Sequence, residues 1–476
     1  MNTTALVRFS REGDQFHYLW AARRCLRLLL PSSGLVAVSI EGASTQETAP
    51  APGIDAGEEL IDVAEYYGSE DIEQAARIRY LQLKHSTQRA TEPWTASGPE
   101  KTLKGFADRY RALEQRLGAG ALQGKLEFGF VSNRPISVDI LEAIGDAAAG
   151  TDAQHLNELK EIEDFTDLNG SALSDFCKLL HLEGDQEGYW GQRNLLAIDA
   201  SEYLPGSDVD GPIRLKELVT RKALPESAGN PTITKTDVLR ALQTDTDRLF
   251  PAPPLIKPST GIVPRDQETD LARQIIQTTG RAIIVHADAG VGKSVFATRI
   301  GQALPEGSVC ILYDCFGNGL YRNASGYRHR HKDALVQIAN ELAGQGLCYP
   351  LIPSVNADAT DYMRAFLARV KASIAALRAV SSDALLCIAI DAADNARMAA
   401  NEIGETRSFA RDLLREEMPE GVRLVVLCRT HRRQLLDPSP QALCLEIKPF
   451  SRAETAVYLR QAFRTRAITM LMSSID

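Results

Sequence analysis

The sequence predicts an α/β chain of two domains, a mixed sheet followed by a parallel sheet, and three observations carry that expectation. The chain has 476 residues, too many for one ordinary core. From residue 265 onward, short apolar runs alternate with helical patterns, the rhythm of a parallel sheet covered by helices on both faces. Before residue 225, strand-like runs are broken by loops and followed by a mostly helical stretch, and a proline-rich connection at 226–264 separates the halves.

Composition narrows the class. Hydrophobic residues make up 44% and charged residues 24%, values of a soluble globular protein. The formal net charge of −9 argues against a surface coated in basic charge for nonspecific nucleic-acid binding. A DNA enzyme with a local basic groove and a metal ion remains compatible with it. The eight cysteines form no CxxC pair, which predicts reduced thiols in a cytoplasmic protein. The N-terminus lacks a signal pattern, and no apolar run reaches the roughly 18 residues that span a bilayer, so no membrane is expected.

Residues 12–30 show helical spacing of Phe16, Leu19, Trp20, Leu26, Leu29 and Leu30, stopped by Pro31. LVAVSIEG (35–42) reads as a strand ending in a carboxylate, 43–57 as loop, EELIDVAEYY (58–67) as a strand, and GSEDIEQAAR as a turn with a short helix. IRYLQLKHS (78–86) is a β-rich strand, 99–117 a helix, and KLEFGFVSNRP (125–135) a strand closed by turn residues. In the second half, strands are predicted at 281–287, 308–314, 384–391 and 422–429, with helices at 292–303, 333–344, 361–380 and 404–416.

ADAGVGKS (287–294) fits the phosphate-binding pattern [AG]xxxxGK[ST] between a predicted strand and a predicted helix. Ala287 stands at the first position. Gly290 and Gly292 let the backbone curl so that N–H groups point at phosphate oxygens, Lys293 reaches the β/γ-phosphates, and Ser294 ligates Mg²⁺. Asp391 ends an apolar strand, where a carboxylate holds Mg²⁺, and Asp394 is placed to orient or deprotonate an attacking water. Arg429 ends the next strand as a γ-phosphate sensor, with Thr430 a weaker candidate. Strand-end turn chemistry is the plainer alternative for Asp394 and a solvated position for Arg429.

Together with KPFSRAETAVYL (448–459) and VPRDQETDLARQI (263–275), these residues resemble a STAND-type P-loop NTPase over roughly 263–476. The resemblance implies ATP as ligand, a proline that begins a helical lid and touches the adenine (Pro449), and an arginine near the base (Arg265). It divides this half into an NTPase domain at 265–440 and the start of a lid at 441–476. Family members normally continue into a winged helix and a repeat array that senses a trigger. The chain is therefore expected to be truncated, or to rely on a separate sensor or a phage-derived trigger.

The N-terminal half offers a second constellation. Gln82 and Lys84, two apart in a strand, share one face. Asp62 lies on the preceding strand and Glu41 at the end of the one before. Asp62 and the Gln82 amide oxygen can bind a divalent metal, Glu41 can join them directly or through water, and Lys84 can position a nucleophile. Asp55, Glu58, Glu59 and Glu65 compete for the role of Asp62, and Gln15 and His17 on the first helix can approach the site. The set GDQFHYLWAARRCL, VSIEG, LIDVAEYYG, RYLQLKHS and FGFVSNRP resembles the PD-(D/E)xK nucleases of Mrr-like type, and more narrowly the double-stranded-DNA nuclease domain of bacterial antiphage effectors. That resemblance implies a restriction-endonuclease-like mixed sheet within 1–225, duplex DNA as substrate, Mg²⁺ at both sites, and oligomerisation on nucleotide binding. The alternative is a signalling NTPase with a non-catalytic N-terminal domain. A DNA-translocating restriction component is disfavoured, since no helicase-type motifs follow Asp394. The basic cluster RHRHK (328–332), beside Tyr327, reads as a solvated charged loop before it reads as a contact to DNA, nucleotide phosphate or a neighbouring subunit.

Overall fold

The computed structural model describes residues 3–48, 58–206, 208–256, 262–323 and 326–461. It resolves into two compact units, the first made of residues up to Tyr203 with Asp208–Asp245, the second of Thr246 onward with Leu204–Ser207.

The first unit is built on a six-stranded mixed sheet. Its strands are β1 (Leu35–Ile40), β2 (Val63–Tyr67), β3 (Arg77–Lys84), β4 (Leu126–Ser132), β5 (Leu180–Glu183) and β6 (Thr232–Thr234), in the order β5-β4-β3-β2-β1-β6. The pairs β6–β1, β1–β2 and β2–β3 are antiparallel, while β3–β4 and β4–β5 are parallel. On one face, Tyr80, Phe128 and Leu126 pack against Phe106, Tyr110 and Phe176 of the helices Glu100–Leu117 and Gly170–Cys177. Phe128 sits at the centre, with ring centroids 5.2 Å from Phe106, 5.8 Å from Tyr80 and 5.9 Å from Phe176. The helix Thr3–Leu26 touches β1 and β3 and packs against the helices Tyr189–Ser201 and Asp210–Lys222.

The second unit has five parallel strands, β7 (Ile283–Ala287), β8 (Val309–Asp314), β9 (Leu386–Asp391), β10 (Val422–Arg429) and β11 (Leu443–Glu446), in the order β11-β7-β10-β9-β8. β9 is buried along its whole length. Its residues alternate between two cores: Leu386, Ile388 and Ile390 face one, Cys387 and Ala389 the other. Helices on both faces are therefore a requirement of the strand sequence.

Several expectations need correction. The helix expected at 404–416 is instead Ala393–Glu402 followed by Phe409–Leu413, because Ala392 turns left-handed (φ 54°) directly after Asp391 and the chain re-enters a helix at once. Residues 68–76 form turns without a helix and Arg77 already belongs to β3, while 58–60 are a 3₁₀ turn rather than strand. The proline-rich connection is shorter than 226–264, since Thr232–Thr234 pairs with β1 and the first unit extends to Asp245. Residues 257–261 of that connection and 462–476 of the lid lie outside the described residues. RHRHK is not a solvated loop: Arg328, His329 and His331 are buried, with Arg328 donating to main-chain carbonyls and His329 Nε2 and His331 Nε2 meeting the carboxylates of Glu405 and Asp412. All eight cysteines are free thiols. Among the described residues, no helix is long and apolar enough to cross a membrane.

Phe128→Ala removes the side chain around which three aromatic rings gather. It should destabilise the first unit by about 3–5 kcal/mol, read in urea denaturation as an earlier transition of that unit. A change below about 1 kcal/mol would contradict the packing described.

Candidate functional site

In parallel strands the registers align the C-terminal ends, and here they align chemistry. Asp314 of β8 pairs with Asp391 of β9, and Arg429 of β10 pairs with Ala287 of β7. The loop after Ala287 curls through Gly290 (φ 76°) and Gly292 (φ 104°), both in the left-handed region where a side chain is strained. The helix Lys293–Ala303 follows at once. Lys293 Nζ donates to the carbonyls of Ala287 (2.9 Å) and Asp288 (2.8 Å), so the ammonium is folded back across its own loop. Ser294 Oγ donates to Asp391 Oδ2 at 2.6 Å. The sequence placed these two residues 97 apart; the fold closes them into contact.

A cavity of about 270 Å³ opens at this edge, bordered by Gly290, Lys293, Ser294, Asp391, Asp394 and Arg429. Ala287 is buried beneath it. Burial pushes the Asp391 carboxyl up to about 6, with the Ser294 hydrogen bond opposing and the Asp314 charge adding to the rise. Burial also lowers Lys293, against the pull of Asp391 and Asp394. A hydroxyl in contact with a carboxylate that resists carrying a lone charge is a donor set that fits Mg²⁺. Asp394 is buried and accepts from Arg432 Nη1 at 3.4 Å. Its carboxylate is therefore shared between that guanidinium and the cavity. Thr430 lies outside this lining, with Oγ1 3.3 Å from His286 Nδ1. Arg265 is held deeper than an exposed sensor would be: Nη1 donates to Val291 O (2.7 Å), Nη2 donates to Lys448 O, and the guanidinium stacks 4.8 Å from the Phe450 ring. It ties the phosphate loop to the segment carrying Pro449, which is exposed. Residues 452–461 are helical.

Sequence reasoning missed Asp314, Arg432, Phe316, Leu255 and Ile256 around this cavity. Asp314 was legible, as a carboxylate ending an apolar strand; the others carry no local signal.

In the first unit, the β2–β3 pairing brings together the residues named from sequence. Asp62 precedes β2 by one residue, and its N–H donates to Leu81 O at 3.0 Å. Asp62 Oδ2 accepts from Gln82 Nε2 and from Leu83 N, both at 2.5 Å. Gln82 is buried, and its Oε1 has no hydrogen-bond partner. Lys84 is half-buried on the same face of β3. Glu41 N donates to Asp62 O at 2.9 Å, and Glu41 itself sits at φ 55°, a conformation that non-glycine residues rarely hold. Partial desolvation, then the Asp62 and Asp14 carboxylates, push the Glu41 carboxyl up to about 7, while Lys84 opposes. Loss of solvation likewise raises Asp62, against the pull of His17 and Lys84. Burial lowers the pKa of His17, against the pull of the Asp62 charge. Gln15 is half-buried on the same helix.

The competing acids are accounted for. Glu65 is buried and, despite that burial, Arg24 and Arg79 hold it below the usual range. Glu59 is exposed in the 3₁₀ turn that also includes Glu58, and Asp55 lies outside the described residues. The segment after Glu41 is pinned by buried Glu47, which accepts from Tyr66 OH (2.5 Å), Tyr80 OH (2.6 Å) and Arg109 Nη2. Among the described residues, no group of three or more His, Cys, Asp or Glu side chains is arranged to hold a metal ion. A metal at either site would draw on the Gln82 amide oxygen or the Ser294 hydroxyl as well. The orphaned, buried Gln82 Oε1 beside Asp62 fits such a role.

The parallel sheet, the curled glycine loop and the Ser294–Asp391 contact define a P-loop NTPase domain. Residues 281–466 match the family model of the NACHT domain, so this part of the chain is a NACHT domain of the STAND-type P-loop NTPases. A comparison of the sequence with curated proteins finds no match. Among solved structures, the chain is similar to the Cap4 SAVED/CARF-domain containing receptor of Acinetobacter baumannii, at 10% identity and a TM-score of 0.29 over 81% of this chain and 67% of that one. The Moraxella osloensis Cap4 receptor gives the same figures, 10% identity and 0.29 over 81% and 67%. The Acinetobacter receptor with the cyclic trinucleotide 3'3'3'-cAAA gives 11% and 0.28 over 79% and 90%.

Folding raises the Asp391 carboxyl from its ordinary 3.8 to about 6. The folded state therefore holds this proton more tightly, and the group costs stability as pH rises through that window. Asp391→Asn removes the ionisation. The variant should gain thermal stability over wild type at pH 8, on the order of 1–3 kcal/mol, and lose the gain below pH 4. A difference that does not change with pH would contradict the assignment.

Proposed function

We propose that this chain is an ATP-regulated, Mg²⁺-dependent DNA endonuclease of antiphage defence, in which nucleotide binding to the NACHT domain drives homo-oligomerisation and activates the N-terminal unit. The observation that carries the nuclease reading is the buried Gln82 Oε1, without a partner, next to the Asp62 carboxylate on neighbouring strands. An orphaned acceptor in a core costs about 1–3 kcal/mol and persists where a ligand satisfies it. The ordered motifs that resemble antiphage nuclease domains support duplex DNA as the substrate.

Mg²⁺ at this site would polarise a phosphoryl oxygen and acidify a water. The chain's own residues do the rest. Gln82 Nε2 and Leu83 N fix one oxygen of Asp62, which orients its carboxylate. Lys84 places a cation where phosphate charge develops. Glu41, whose N–H donates to Asp62 O, would join the metal directly or through water. In the NACHT domain, Lys293 would exchange its two main-chain carbonyls for phosphate oxygens, and Ser294 and Asp391 would hold Mg²⁺.

The test is cleavage of plasmid DNA by the full chain with ATP, Mg²⁺ and a trigger known to activate it. Lys84→Ala and Gln82→Ala should each lower cleavage by at least about 100-fold while ATP binding is kept. Intact plasmid with the wild-type chain, or full cleavage by both variants, would favour a signalling ATPase with a non-catalytic N-terminal domain.

A further inference from the structure

One residue of the RHRHK cluster, Arg328, holds a segment beside the nucleotide site. Residues 252–256 run along the cavity wall, where Leu255 and Ile256 join Lys293, Ser294 and Asp391 as lining. The segment is held by its backbone. Arg328 Nη1 donates to Ala252 O (3.3 Å) and Nη2 to Pro253 O (2.8 Å), and Nη1 also reaches Asp314 O (2.8 Å). Ala252 N donates to Gln337 Oε1 at 2.9 Å, and Leu255 N donates to Asp314 Oδ2 at 3.2 Å.

Asp314 is the second anchor. Its Oδ1 accepts from Phe316 N and Gly317 N, both at 2.9 Å, so one buried carboxylate fixes the end of β8, the loop after it and the segment 252–256. Gly317 is required here: at φ 52°, a Cβ would lie 2.1 Å from Arg328 Nε. The rest of the cluster faces away from the cavity. His329 and Arg330 grip Glu405, and His331 meets Asp412. Both acids follow the helix that starts just after Asp391.

Arg328 is 4% exposed, and a buried guanidinium without its acceptors is strongly unfavourable. Two of its three carbonyl acceptors belong to residues 252 and 253. The arginine therefore has a reason to keep this segment docked, beyond any contact the segment makes for itself.

We propose that residues 252–256 are a strap that forms one wall of the triphosphate site, and that Arg328 is the positioning residue that holds it there. Triphosphate in the cavity lies against Leu255 and Ile256. Nucleotide binding and strap docking therefore strengthen each other, and by linkage each reports the other. The inference rests on the reading of the P-loop as an ATP site.

The experiment uses the full chain with Mg²⁺, ATP and AMP. Hydrogen exchange at the amides of Ala252, Leu255 and Ile256 (Pro253 and Pro254 carry no N–H) should slow several-fold when ATP is added to wild type. Arg328→Ala should bind ATP about 10-fold more weakly and lose this slowing, and Arg328→Lys should restore part of both. Leu255 is 40% exposed, so Leu255→Glu leaves the fold intact even if Arg328→Ala does not fold. Its carboxylate would face phosphates, and it should weaken ATP about 10-fold while AMP changes less. The strap is refuted if Leu255→Glu binds ATP as wild type does, or if exchange over 252–256 ignores ATP. A wild-type chain that takes up no ATP at all would refute the underlying nucleotide reading, and the strap with it.

Discussion

The structure of the second unit depends on one constraint: parallel strands in register must finish together. Ala287, Asp314, Asp391 and Arg429 end four neighbouring strands, and the chemistry of the site is the sum of what those ends carry. The Ser294–Asp391 hydrogen bond, at 2.6 Å, is the point where the phosphate loop meets that edge. It joins a helix start to a strand end across the sheet. The acidic cost of this arrangement is visible in Asp391, whose carboxyl is pushed to about 6 by burial and by its neighbour Asp314. The ammonium of Lys293 offsets part of that negative charge, and a divalent ion would offset more.

Much of this was legible in the sequence because it is local. ADAGVGKS states its own conformation, since glycines at 290 and 292 allow the left-handed turns that the loop adopts. Apolar runs ending in Asp391 and Arg429 announced buried parallel strands. What was not legible is what depends on distant partners. Arg432 meets Asp394 from a 3₁₀ segment whose sequence shows no site pattern. Arg328 looks like a solvated charge until the carbonyls of Ala252 and Pro253 arrive from a segment about 75 residues earlier. A charged run in sequence predicts exposure, and only tertiary acceptors overturn that. The helix predicted at 404–416 failed for a related reason: Ala392 adopts a left-handed turn that alanine rarely does, and sequence patterns give no weight to it.

The first unit repeats the logic with weaker signals. Gln82 and Lys84 share a strand face by simple alternation, which the sequence shows. That Asp62 meets Gln82 depends on the register between β2 and β3, which pairs Val63 with Leu81. A one-residue slip would turn the wrong face of β3 to Asp62. Packing likewise removes Glu65 from the acids at 55–65, since two arginines take it. Glu41 holds a left-handed backbone within this cluster, and such strain is kept where surrounding structure fixes it; its N–H is tied to Asp62 O, and Glu47, six residues on, anchors the segment that follows.

The account stands or falls on the grip of the phosphate loop. The direct measurement is calorimetric titration of MgATP into the full chain and into Lys293→Ala. Removing a charge-assisted contact to phosphate should weaken binding by about 10–100-fold. Equal affinity for the two proteins would contradict the site described here.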